Sequence, residues 1–303
     1  MLLCHKLMAA KIIGRIPSVN IMENLEEYRI VIVGVGGIGI RIAKDVGRIL
    51  EHQAPFSCVV LVDGDHYEPK NKNRQEFKNL GNKAEVLAQE INEEFPDTFI
   101  LPQAKWVVSD DASIAPDKEE EPDKDLPKAN DTEEAKEGEV EKVVTKTNKI
   151  RAKDLLEEGD IVFAVVDNFA ARAAIFNAAR NFNNIDVLSG GNDDELFGSV
   201  YHYRRRNGED VIEHPAERHD DLVNPPDKNP GELSCQERAK IEGGEQTIAA
   251  NAGVAALLTA KMHLILHNKD IEIEETSEIF IEMGKGLAAA HNRSTKTEIL
   301  EGV

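Results

Sequence analysis

Apolar residues in this chain fall into short unbroken runs, and between the runs they recur at helical spacing. The first run is Ile30-Val31-Ile32-Val33. Continuous β-branched residues predict a strand over 30–33 that is buried on both faces, as in a parallel sheet. Glycines at 34, 36, 37 and 39 end it. Ile40, Ala43 and Val46 then form an inward stripe, which predicts a helix over 37–50. A second strand follows at 58–62, and a second helix at 83–95 along Lys83, Val86, Leu87 and Ile91. Short extended pieces are expected at 98–101 and 105–108. Order resumes near Val143, with a short helix at 153–158, a strand at 160–166, a helix at 170–180 and strands at 185–189 and 198–204. Residues 205–233 are polar and Pro-rich and are expected to form a long loop. Ser234-Cys235-Gln236-Glu237 has the S-x-x-E form of a capping box, so a helix is expected to begin there. Residues 246–266 are Ala-rich and helical in pattern, 279–283 reads as a closing strand, and the last 15 residues as tail. Repeated strand–helix alternation predicts an α/β fold: a doubly wound, mainly parallel (Rossmann-like) sheet with helices on both faces. The expected organisation is a leader at 1–28, one domain at 29–285 and a tail at 286–303. Within the domain lie an insertion at 110–148 and a crossover loop at 205–234.

Composition changes this picture at one place. Asp110–Glu141 holds 14 acids, 4 bases and three prolines with almost no large apolar side chain. Such a segment cannot bury enough surface to offset chain entropy, so an acidic, disordered insertion is expected. The whole chain of 303 residues carries a net charge of −20, which repels phosphate backbones and anionic lipid and disfavours nucleic acid and membrane partners. Arg204-Arg205-Arg206 is a local basic patch. No window approaches 18 apolar residues, so no membrane-spanning helix is expected, and the leader lacks the apolar run of a signal peptide. Three scattered cysteines, Cys4, Cys58 and Cys235, argue against a disulfide scaffold and fit a cytoplasmic protein.

The candidate chemistry sits on the first strand–turn–helix–strand unit. Gly34-Val35-Gly36-Gly37-Ile38-Gly39 lets the backbone approach a phosphate, while the following helix aims its N-terminus at that charge. Asp63, at the end of the second strand with Asp65 two residues on, is placed to accept hydrogen bonds from ribose hydroxyls. This much suits NAD and ATP equally. Three further pieces favour ATP. Asn71-Lys72-Asn73-Arg74-Gln75 puts an arginine within reach of nucleotide phosphates, a group that hydride transfer does not need. Lys83 opens the next helix as a point charge suited to a triphosphate. Asp167-Asn168 ends a later strand, where an acid faces the ligand crevice and can hold Mg²⁺ on phosphates. Taken singly, Arg74 is a surface arginine, Lys83 a solvated helix lysine and Asp167-Asn168 a helix cap; their order makes the case.

These residues resemble the signature of the ThiF/MoeB/HesA family, adenylating enzymes related to the activating enzymes for ubiquitin-like proteins. The glycine turn matches at Gly34, Gly36, Gly37 and Gly39 and the ribose aspartate at Asp63. The Asn-x-x-Arg-Gln signature falls on Asn71, Arg74 and Gln75, the phosphate lysine on Lys83, and the magnesium aspartate on Asp167 with Asn168 beside it. Arg172 and the strand Val187–Gly191 also fit. The resemblance covers roughly residues 29–108 and 150–285. It implies ATP and Mg²⁺ as cofactors and Arg74, Lys83 and Asp167 as catalytic groups. The implied partner is a small β-grasp protein, ubiquitin-like or a sulfur carrier, whose C-terminal glycine carboxylate is adenylated. It also implies a homodimer, for which Arg15 is a candidate arginine lent to the other protomer. The family's two Cys-x-x-Cys pairs are missing, so no structural zinc is expected, and the acidic insertion is foreign to the family.

Some members pass the acyl group on to a thiol. Cys235 is the candidate, because the capping box places it in the first turn of a helix, where a thiolate is stabilised. A small buried cysteine is the competing reading. Cys58 is expected in the core. His202, His214 and His219 are placed to serve a base, but the polar run around them predicts surface positions. Three other functions stay open on the sequence: an NAD-dependent oxidoreductase, a non-catalytic dimer partner of an activating enzyme, and adenylation of a tRNA base.

Overall fold

The computed structural model describes residues 28–53, 57–73, 75–112, 114, 148–192, 196–233, 247–269 and 276–292. Arg74, Cys235, Cys4, Arg15, the leader, most of the acidic insertion and the capping box at Ser234 lie outside them. In chain order the first elements are β1 (Arg29–Val33), α1 (Gly39–Gln53), β2 (Cys58–Val62), β3 (His66–Tyr67), β4 (Gly81–Asn82), α2 (Lys83–Glu94), β5 (Phe99–Gln103) and β6 (Trp106–Val108). After the insertion come β7 (Lys149–Arg151), α3 (Ala152–Leu155), β8 (Ile161–Ala164), α4 (Phe169–Ala179), β9 (Ile185–Asn192), β10 (Phe197–Arg206), β11 (Glu209–Ile212) and α5 (Asp220–Val223). The chain then forms α6 (Ile248–Leu266), β12 (Thr276–Glu282) and β13 (Leu287–Asn292).

One sheet runs in the order β13-β12-β10-β9-β8-β1-β2-β5, with β11 alongside β10. Strands β9, β8, β1, β2 and β5 are parallel; β10, β11, β12 and β13 extend the sheet antiparallel from β9. Alternate residues of β1 feed two cores. Ile30 and Ile32 pack with Ile42 and Val46 of α1 and Val254 and Leu258 of α6. Val31 and Val33 pack with Val60, Val62 and Phe176 of α4. That is why the run is apolar at every position. Strand order reverses at β1, which lies between β2 and β8. The crevice at the carboxyl ends of β1 and β8 is therefore the switch point where ligands bind in such sheets.

The structure corrects several expectations. The segment 205–233 is not one long loop: it holds β11, α5 and two short 3₁₀ turns at Pro215–Glu217 and Pro230–Glu232. The tail at 286–303 supplies an edge strand, β13, paired with β12 over Leu287–Asn292. Helix α6 has the length and composition to cross a membrane, contrary to the window reading. It packs on the sheet instead, burying Val254, Leu258 and Met262 together with the polar Asn251 and Lys261. Cys58 is in the core, as expected, and is disulfide-bonded.

The arginine patch is not a free basic surface. Arg204 and Arg206 converge on the buried Asp186, and Arg205 bonds Asp210 at 2.7 Å. His202 and His214 are likewise buried rather than exposed, and His219 is half-buried against Glu278. His202 bonds Asp186 at 2.8 Å, and His214 Nδ1 accepts the Ala216 amide at 3.2 Å. Burial, aided by Arg180, pulls His214 down to about 4, and burial also lowers His202 despite its carboxylate partner. Both imidazoles are therefore neutral in the fold at pH 7. The unfolded chain takes up the protons first, so this stability is present above about pH 6.5 and is lost as pH falls toward 4. Urea unfolding at pH 7 and at pH 4 should differ by about 3 kcal/mol from His214 alone. His214→Gln should flatten that part of the slope.

Candidate nucleotide site

The glycine turn takes its shape from steric limits at three of its four glycines. Gly34 has φ +90, and a Cβ there would stand 2.7 Å from Val165 O. A Cβ on Gly39 would meet Gly34 O at 2.0 Å, and one on Gly37 would meet Asn251 Nδ2 at 2.3 Å. Gly36 is different: the nearest atom to its added Cβ is Gln75 Nε2, at 3.7 Å. A Cβ there would make only an ordinary contact, so packing does not demand a glycine here, which leaves close approach of a ligand to the backbone as its use.

Asp63 ties the turn to β2. Its Oδ2 accepts the Val35 amide at 2.8 Å and its Oδ1 accepts the Asp65 amide at 2.8 Å. A carboxylate has about four lone-pair positions, so two remain for ribose hydroxyls. Burial raises this carboxyl above its ordinary value, with Lys83 the largest opposing influence. Tyr67 fixes the turn from below: its hydroxyl donates to Val35 O at 3.1 Å and its ring stacks on Phe77 at 4.4 Å.

Asn82 caps α2, accepting from the Ala84 and Glu85 amides, and its Nδ2 donates to the carbonyls of Asp63 and Asp65. One side chain thus locks the start of α2 to the end of β2 and so sets where Lys83 stands. Lys83 is not solvated. It is 8% exposed, and Nζ meets Asp65 Oδ2 at 2.6 Å. Burial works against its charge, but Asp63, Asp65 and, from across the crevice, Asp167 hold its pKa above the ordinary lysine value. Lys83 is therefore fully charged at neutral pH, with carboxylates from β2 and β8 within its field.

Asp167 is exposed at the end of β8, and Asn168 caps α4 by accepting the Ala171 amide at 2.7 Å. The cap reading and the metal reading thus fall on different residues of the pair, leaving Asp167 available. Among the described residues no three His, Cys, Asp or Glu side chains cluster to hold a metal. A cation at Asp167 would take its other ligands from phosphate and water, as Mg²⁺ commonly does. Asn71 is mainly structural: it is buried, and its Oδ1 accepts the Glu68 amide at 2.9 Å. Gln75 lies beside Gly36, with Oε1 buried and unpartnered among the described residues. Of the expected set, Gly34–Gly39, Asp63, Asp65, Gln75, Lys83 and Asp167 come together at the switch point. Arg74 and Cys235 lie outside the described residues.

Residues 9–119 match the model of the ThiF family. This matched stretch is less than half of the chain. The glycine turn, Asp63, Asp65, Asn82 and Lys83 all fall inside it, while Asp167 and α6 come from the remainder. No curated protein sequence matches the chain. Among solved structures, PaaA aligns at TM-score 0.54 and 14% identity over 88% of this chain and 64% of its own. MccB, described as a Microcin C7 biosynthetic enzyme in complex with N-formylated MccA, aligns at 0.54 and 16% over the same shares. MccB of E. coli with ATP aligns at 0.51 and 17%, over 88% and 63%. These likenesses show that the Rossmann-like fold is shared. The chain spans a little under two thirds of the length of those proteins.

Three working parts of the site lay beyond sequence reasoning: Tyr67, Asn82 as a latch rather than a spacer, and Asp227. The Asp227 carboxylate accepts the Phe169 and Ala170 amides at 2.8 and 2.9 Å, closing the segment after α5 onto the start of α4. Only Asn82 gave a signal, as a polar residue directly before a helix.

Proposed function

We propose that this chain adenylates the C-terminal carboxylate of a small protein or peptide with ATP and Mg²⁺. The observation that carries the reading is Lys83: buried, charged, gripped by Asp65 and facing Asp167 across the mouth of a glycine turn. A hydride-transfer site has no use for a cation held there. The residues fit ATP. Asp63 keeps lone pairs for the ribose, Gly36 lets a ligand approach the backbone, and Lys83 stands where phosphate charge would lie. Bound Mg²⁺ would offset phosphate charge at Asp167. Arg74, from the signature motif, and Lys83 would stabilise the charge that builds on the α-phosphate as the carboxylate attacks. A cavity of about 350 Å³ lies beside α4 between Ala170, Ala173, Asn177, Leu222 and Asn229, and its small side chains leave room for an extended acceptor chain. The solved structures it resembles support the reading: MccB is described with ATP and in complex with N-formylated MccA. Within this class we favour a Gly-ending β-grasp carrier, with Cys235 as the candidate for onward transfer.

The test is ATP–pyrophosphate exchange in the presence of candidate carriers. Exchange should require both Mg²⁺ and a carrier, and should fall about 100-fold in Asp167→Ala and in Arg74→Ala. Full activity in either variant, or NAD binding in place of ATP, rejects the proposal.

A further inference from the structure

Asn251 is a polar residue in the first turns of the apolar helix α6. It has no solvent exposure, and among the described residues neither its Nδ2 nor its Oδ1 has a hydrogen-bond partner. A buried amide left in this state is costly and calls for an explanation. Its position supplies one. The carboxamide lies directly against Gly37, so closely that a methyl group on that glycine would overlap it. It therefore packs against the glycine turn at Gly37.

The backbone around Asn251 points to the same ligand. Thr247 caps α6 by accepting the Ala250 amide at 3.2 Å, which leaves the Ile248 and Ala249 amides without partners inside the helix. Neither α6 nor α1 has an acidic residue in its first turn, although acids are favoured there. Two long helices, packed on each other, thus start beside one glycine turn with their N-terminal charge uncompensated by their own side chains.

We propose that α6 is the second jaw of the phosphate site. The Asn251 amide donates to a phosphate oxygen of a bound di- or triphosphate, and the α6 N-terminus faces that group from the side opposite α1. Asp63 places the nucleoside at the end of β2, so the phosphates reached by Asn251 are the outer ones. In the proposed reaction these leave as pyrophosphate. The inference rests on the ATP-site reading and assigns to Asn251 the positioning of the leaving group.

Calorimetric titration of the full chain with ATP, AMP and inorganic pyrophosphate tests this without relying on turnover. Asn251→Ala should weaken ATP and pyrophosphate about 10- to 100-fold, as expected for losing a hydrogen bond to a charged group, and leave AMP unchanged. Asn251→Asp, which puts a carboxylate in the jaw, should weaken them further, and Asn251→Ser, which keeps a donor, should retain part of the affinity. Thermal melting of each variant reports whether it folds, and the serine variant serves if the alanine one does not. Unchanged ATP and pyrophosphate affinity, or an equal loss for AMP, overturns the inference. If wild type binds ATP and Asn251→Ala loses it, yet no carrier supports exchange, the inference stands and the adenylation reading falls.

Discussion

Lys83→Ala lowers ATP–pyrophosphate exchange by about 10²–10³-fold, the cost of removing one preorganised charge from a site that excludes water. The side chain is held before any nucleotide arrives. Asn82 fixes the helix start, Asp65 holds Nζ at 2.6 Å, and burial keeps competing water away. Nothing has to reorganise when charge develops on the phosphate. Lys83→Arg should recover little, because the longer, planar guanidinium does not fit a socket that leaves the lysine 8% exposed. Losing the cation also leaves Asp63 without its largest opposing influence, so its carboxyl should rise further and the nucleotide affinity that remains should become more sensitive to pH. Lys83→Met, close in volume and apolar, checks that the loss is electrostatic: its melting temperature should stay near that of wild type while exchange is lost. Near-normal exchange in the methionine variant would remove Lys83 from the mechanism.

The second large effect concerns the fold. Gly39→Ala places a methyl group 2.0 Å from the carbonyl oxygen of Gly34, and both groups belong to backbone that neither β1 nor α1 can shift cheaply. The variant should lose more than about 4 kcal/mol or fail to fold, as read by urea denaturation. Gly36→Ala is the matched control. Its Cβ would meet nothing nearer than Gln75 Nε2 at 3.7 Å, so the protein should fold normally and lose nucleotide affinity instead. If the two glycine variants behave alike, the division of the turn into packing glycines and a ligand-facing one is wrong.

The parallel half of the sheet could be read from the chain because its strands are buried on both faces. Ile30–Val33 and Cys58–Val62 carry no polar residue, and a continuous apolar run has few other solutions. The antiparallel half gave weaker signals. β13 is Leu-Ala-Ala-Ala-His-Asn, without a β-branched residue, and β11 begins with two acids; pairing with β12 and β10, not propensity, makes them strands. Asp63, Lys83 and Asp167 could be found because strand ends and helix starts are marked locally. Their environment could not. Lys83 read as solvated because burial comes from packing, and His202 and Arg204 read as surface residues because Asp186, which gathers them, lies on the neighbouring strand. Asn251 shows the same limit. It is unremarkable within α6, and becomes informative only when the fold sets that helix against Gly37.

The central claim is that the crevice between β1 and β8 breaks ATP between its α- and β-phosphates to activate a carboxylate. The direct test is to incubate the full chain with ATP, Mg²⁺ and a set of Gly-ending β-grasp proteins and short peptides, then follow the nucleotide products and the acceptor mass together. The expected result is AMP and pyrophosphate, with an adenylate on one acceptor's C-terminus that is lost in Lys83→Met. Release of ADP and phosphate, or ATP left intact with every acceptor while NAD binds, would contradict the account.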